Sequence, residues 1–161
     1  MKLAWSLSEA FENERCKALV LQFNTDCRLI KDLAGKLTYG FIPGGGTNPV
    51  KALYETKIKL DEIRQYHKVL KPLIIILTDA LYPVTDSLTE AVETLRNEDA
   101  KIVEVKIPND GHGANIEYQK YAKGRERAYD YVYNIDSPDE IIHNLQEVLV
   151  DIEKQIIRTD I

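Results

Sequence analysis

Apolar residues in this chain recur at two periods in turn, one of helices and one of strands. Leu3, Leu7, Ala10 and Phe11 follow the i, i+4, i+7, i+8 spacing of one helix face, which predicts a helix over residues 1 to about 13. The next stretch, Lys17–Phe23, carries the nearly continuous run Ala18-Leu19-Val20-Leu21, the pattern of a strand covered on both faces. Asn24-Thr25-Asp26 turns the chain, and Arg28–Asp32 reads as a short return strand, expected as an antiparallel edge. Ala34–Ile42 shows neither period, and Gly35 and Gly40 favour a loop. Asn48 has a side-chain oxygen suited to cap a helix, and Pro49 fits the first helical position, where a missing N–H costs nothing. That helix is expected to reach about Tyr66 with Val50, Leu53, Leu60 and Ile63 inward. Lys71-Pro72 then introduces Leu73–Leu77, a fully apolar run expected as a buried strand.

Ser87-Leu88-Thr89-Glu90 matches a capping box, and Leu88, Ala91, Val92 and Leu95 share the face of the helix it would start. Asn97-Glu98-Asp99 ends that helix. Ile102–Ile107 alternates apolar and charged residues, so a more exposed strand is expected there. Pro108–Ala128 is long, polar and glycine-containing, with room for a short helix over Ile116–Ala122. Tyr129–Ile135 reads as the last strand. A second capping box, Ser137-Pro138-Asp139-Glu140, precedes a helix with Ile141, Leu145, Val148, Leu149, Ile152 and Ile156 inward. Strands alternating with helices imply βαβ units. The expected fold is a Rossmann-like three-layer α/β domain, with a mainly parallel sheet and helices on both faces. Lys17–Phe23, Leu73–Leu77 and Ile102–Ile107 should run parallel. Ligands of such sheets bind at the carboxyl ends of the strands.

At 161 residues, with 44% hydrophobic and 29% charged, the expectation is a single domain, 1–161, that buries its core without disulfides or structural metal. A net charge of −5 argues against nucleic acid or an anionic membrane as partner. Cys16 and Cys27 flank one predicted strand, which holds its ends about 30 Å apart at roughly 3.3 Å per residue. They are therefore expected as free thiols in a reducing compartment. No apolar run approaches the roughly 18 residues needed to span a bilayer. Ser6, Ser8, Glu9 and Glu12 interrupt any signal-peptide core, so a cytoplasmic protein is expected.

Two loops could carry chemistry. Asp79 directly follows the apolar run, a usual position for a functional carboxylate in an open α/β sheet. It could equally do no more than organise its own turn. Gly44-Gly45-Gly46-Thr47-Asn48-Pro49 could cradle a phosphate on backbone N–H groups. It matches neither G-x-x-x-x-G-K-[ST] nor G-x-G-x-x-G, and a ligand-free glycine turn explains it as well. A Rossmann-like domain binding a nucleotide or phosphate at Gly44–Thr47 is the alternative reading. No Ser-His-Asp order with a nucleophile elbow and no paired catalytic carboxylates occur, so no enzyme is expected.

Together the loops are more specific. Lys17–Phe23 followed by Asn24-Thr25-Asp26, then Gly-Gly-Gly-Thr-Asn-Pro before a helix, then Ile-Ile-Leu-Thr-Asp-Ala after a strand, resembles the von Willebrand factor A (VWA) family over nearly the whole chain. The resemblance implies a non-enzymatic protein-binding module. Its metal-ion-dependent adhesion site would hold Mg²⁺ on an Asp-x-Ser-x-Ser loop, a Thr and an Asp, with an open position for a partner's carboxylate. By motif match Thr47 and Asp79 stand at the Thr and Asp positions, with Gly45, Gly46 and Asn48 in the binding loop. The two side chains should lie close enough to share one cation or water. Family members often carry Gly where Ala80 stands. The Asp-x-Ser-x-Ser loop is missing: Ala4-Trp5-Ser6-Leu7-Ser8 imitates it with Ala for Asp. N-terminal truncation ahead of the first helix is the preferred explanation. The implied site is then incomplete, and Mg²⁺, which gives up water reluctantly, should bind weakly or not at all. The missing strand would lie between Lys17–Phe23 and Leu73–Leu77, a gap that invites self-association.

Other residues have plainer readings. His112 sits among glycines without a second His or Cys as co-ligand, and His67 and His143 read as surface positions. Tyr129, Tyr131 and Tyr133 share one strand face and are expected to pack. Lys123, Arg125 and Arg127 read as a solvated basic loop.

Overall fold

The computed structural model describes residues 2–12, 17–38, 47–68, 71–107, 121, 124–135, 141–152 and 154. By internal contacts the chain divides into two compact units, Met1–Glu62 and Ile63–Ile161.

In the first unit, α1 (Lys2–Phe11) is followed by β1 (Val20–Phe23) and β2 (Cys27–Lys31), and α2 begins at Pro49. The strands form an antiparallel hairpin with Phe23 opposite Cys27 and Val20 opposite Lys31. β2 is the antiparallel return strand expected after the turn at residues 24–26, beginning one residue earlier, at Cys27. Asn24 Oδ1 accepts from the Asp26 N–H at 2.7 Å and the Asn24 N–H donates to the Asp26 carbonyl at 2.9 Å, a turn closed by its own side chain.

Ala10, expected in the buried stripe of α1, is exposed, while Ser8 is buried. The reason is Lys31, only 2% exposed. Its ammonium donates to Ser8 Oγ at 2.9 Å and to Glu12 Oε2 at 2.8 Å. It also lies 5.3 Å from the centroid of the Trp5 ring. A buried ammonium needs such partners, and they rotate the helix face that meets the hairpin. The hydrogen bond from Lys31 holds the Glu12 carboxyl below the usual carboxylate range.

In the second unit, β3 (Leu73–Thr78), α3 (Asp86–Arg96), β4 (Lys101–Lys106), the short α4 (Arg125–Ala128), β5 (Tyr131–Asn134) and α5 (Ile141–Ile152) follow in order. The three strands form a parallel sheet in the order β3-β4-β5, with Ile74 opposite Ile102 and Val105 opposite Tyr133. The chain is thus α/β, with a parallel sheet flanked by helices in the Rossmann-like manner. Leu88, Ala91, Val92 and Leu95 line the buried face of α3. Each of the larger ones contributes about 1.5–3 kcal/mol by leaving water.

Two expectations exchange places here. β3, expected as a buried strand, is an edge of this sheet and its Leu73, Ile74, Ile75 and Leu77 are half-buried. β4, expected to be exposed because Glu104 and Lys106 alternate with apolar residues, is the central strand, buried from Ile102 to Lys106. α3 also starts earlier than its capping box predicts. Thr85, in extended backbone, accepts from the Leu88 N–H at 3.2 Å, and Asp86 is the first helical residue. Asp99, at φ 60°, closes the turn after the helix. The second capping box, His112, the Ile116–Ala122 segment apart from Tyr121, and Cys16 lie outside the described residues.

Candidate functional site

The loop that leaves the carboxyl end of β3 is built from its own side chains. The Thr78 hydroxyl, buried, accepts from the Ala80 N–H at 3.0 Å. Asp79 Oδ1 accepts from the Leu81 N–H at 3.1 Å, the side-chain-closed turn that the plainer reading of Asp79 anticipated. Ala80 takes φ 63° and is fully buried. That left-handed conformation is one that glycine adopts freely and alanine does not.

The loop is then gripped from below. Arg125 Nη2 donates to the Ala80 carbonyl and to the Tyr82 carbonyl, both at 2.7 Å. Its Nη1 donates to Glu104 Oε2 at 2.8 Å, and its guanidinium carbon lies 4.3 Å from the centroid of the Tyr82 ring. The Tyr82 hydroxyl also donates to Glu104 Oε2, and its oxygen is 2.7 Å from that of Tyr129. Tyr82 has one proton and the carboxylate is its stronger acceptor, so Tyr129 donates to Tyr82. All four side chains are at most 2% exposed. Burial raises the Glu104 carboxyl above its ordinary range, against the pull of Tyr82 and Arg125. It also pushes both phenols above theirs.

Sequence reasoning missed this cluster. Arg125, read as part of a solvated basic loop, is 1% exposed; a guanidinium facing a buried carboxylate and two carbonyls has no cause to seek water. The signal was Glu104 itself. A carboxylate inside the run Ile102-Val103-Glu104-Val105 must either face water or meet a cation. Tyr133, half-buried, donates to Asp151 Oδ2 at 2.6 Å, so the tyrosines of the last strand do pack, while His67 and His143 are exposed.

In the first unit, Asn48 Oδ1 accepts from the Val50 N–H at 3.1 Å, and Pro49 opens α2 (Pro49–Arg64) as expected. The Asn48 N–H donates to the Asn24 carbonyl at 3.2 Å, and Lys51 pairs with Asp26. The start of α2 is thereby tied to the hairpin turn. Thr47 is half-buried; Gly45 and Gly46 lie outside the described residues. Thr47 belongs to the first unit and Asp79 to the second.

The donors at the β3 loop suit Mg²⁺ poorly. Asp79 brings one carboxylate, and one of its oxygens already serves the turn. Among the described residues no three His, Cys, Asp or Glu side chains gather as a metal-binding group. No helix among them is long and apolar enough to cross a membrane.

No family model matches this sequence, and no curated protein matches it. In fold the chain is similar to the crystal structure of the conserved hypothetical protein BatB from Bacteroides thetaiotaomicron. The TM-score is 0.54 at 14% identity, covering 96% of this chain and 86% of that one. A likeness at that identity shows the α/β fold of the chain and leaves its activity to be argued from its own loops.

Proposed function

We propose that the chain is a non-enzymatic protein-binding module of the VWA type, cytoplasmic, with a reduced metal-ion-dependent adhesion site that retains Asp79. The observation that carries this reading is the loop Thr78–Tyr82. It follows a parallel strand at its carboxyl end, holds Asp79 in a closed turn, and keeps Ala80 in the backbone conformation natural to the glycine found there in the family. The motif match of Thr47, Asn48 and Asp79 adds to it. With a single carboxylate at the β3 loop, recognition of the partner does not depend on Mg²⁺.

The test is retention of partner proteins on the immobilised chain, wild type beside Asp79→Ala, in Mg²⁺ and in chelator. A partner should be held equally in both buffers by the wild type and lost from Asp79→Ala. Retention indifferent to Asp79 overturns the reading. Sub-millimolar Mg²⁺ binding by calorimetry, absent in Asp79→Ala, would show that the metal site is complete. Saturable binding of ATP would favour the phosphate-binding alternative at Gly44–Thr47.

A further inference from the structure

A buried ion pair is a poor way to fill a core. Stripping two charged groups of water costs several kcal/mol per ion, and apolar residues of similar volume often serve as well or better. Glu104 and Arg125, 0% and 1% exposed, therefore need a reason beyond packing. The reason lies in what apolar side chains cannot do. Arg125 presents a planar fork of N–H donors. One arm is anchored on Glu104, and the other bridges the carbonyls of Ala80 and Tyr82. Ala80, which follows Asp79 and bears the first of those carbonyls, holds a conformation that alanine disfavours. The same carboxylate also takes the Tyr82 hydroxyl, so Tyr82 is held by both its backbone and its ring end. The clamp acts on the segment that carries Asp79.

We propose that Glu104 and Arg125 are a positioning pair, whose buried clamp on the Ala80 and Tyr82 carbonyls holds the binding loop in shape and so sets how Asp79 is presented to its partner. The consequence for the partner rests on the proposed function. The loop's shape does not, and it can be measured without any partner.

The experiment is amide hydrogen exchange by NMR on the full chain. Arg125→Met alone would leave Glu104 buried and unpaired, so the variant to use is Glu104→Leu with Arg125→Met, which keeps the space filled. The Ala80 and Leu81 amides should exchange at least about tenfold faster, while those of Ile102–Val105 in β4 stay within about twofold of wild type. A pair that merely stabilised the domain would speed the β4 amides as much as the loop amides. Partner retention should fall in the double variant. The proposal is overturned if the loop amides do not move. It is overturned equally if β4 accelerates as much as the loop, or if the double variant does not fold, since the pair would then serve the whole fold. Loop amides that respond as expected while Asp79→Ala leaves retention intact would sink the binding role of Asp79 and spare the clamp. The reverse pattern would sink the clamp alone.

Discussion

Ala80 sits in a backbone conformation that its own methyl group opposes. Replacing it by glycine removes a penalty of about 1–2 kcal/mol. It also loses about 0.8 kcal/mol of buried methyl and adds roughly 0.5–1 kcal/mol of unfolded-state entropy. Ala80→Gly should therefore fall within about 1 kcal/mol of wild type in urea denaturation. Ala91→Gly, equally buried but inside α3, loses the methyl and about 1 kcal/mol of helix propensity with nothing in return, and should cost about 2 kcal/mol. Cys27 makes a second prediction. Burial, reinforced by Glu55 and Asp26, pushes its thiol up to about 11. The folded state keeps this proton where the unfolded chain has lost it, so the stabilising contribution is whole below pH 9 and disappears as the pH rises to about 11. At pH 8 the folded chain should alkylate at Cys27 about a hundredfold more slowly than the unfolded chain, read by peptide mapping. Equal rates would contradict the burial. At this scale the sequence was partly legible. Asp79, Asn48 and Pro49 stand where their chemistry predicts, but Glu104 looked outward because its counter-charge lies 21 residues further on, across a stretch with no periodic pattern.

Helix α3 shows what element boundaries can and cannot reveal. Its buried face was readable from spacing alone, but its first residue was not, since Thr85 and Ser87 are both competent caps and two residues apart. Backbone geometry selects Thr85, whose side chain meets the Leu88 N–H. Thr85→Ala should therefore cost about 1 kcal/mol, and exposed Ser87→Ala close to nothing, by urea midpoints. The opposite order would restore the cap to Ser87. The strands were harder for a related reason. Periodicity reports how apolar a strand is, and an apolar run is compatible with an edge as well as a centre once other groups cover its faces. β3 and β4 exchanged roles because hydrogen-bond partners, absent from any local pattern, decided which charged side chains stayed buried.

For the molecule as a whole, the alternation of strands and helices was enough to predict an α/β fold with parallel strands, because crossover helices leave that rhythm in any sequence. Which strands pair is a long-range matter, and the hairpin of Val20–Phe23 with Cys27–Lys31 was decided by a turn of three residues. The buried ammonium of Lys31 has a practical consequence. Amine-acylating reagents attack only a lysine they can reach, and Lys31 is 2% exposed where Lys51 is 53%. Under brief labelling with an N-hydroxysuccinimide ester, Lys51 should be modified at once and Lys31 only in molecules where α1 has left the hairpin. If both react at one rate, the docking of α1 is wrong. If they separate, the mass of the Lys31 peptide against labelling time becomes a native stopwatch for that undocking, with no foreign dye attached.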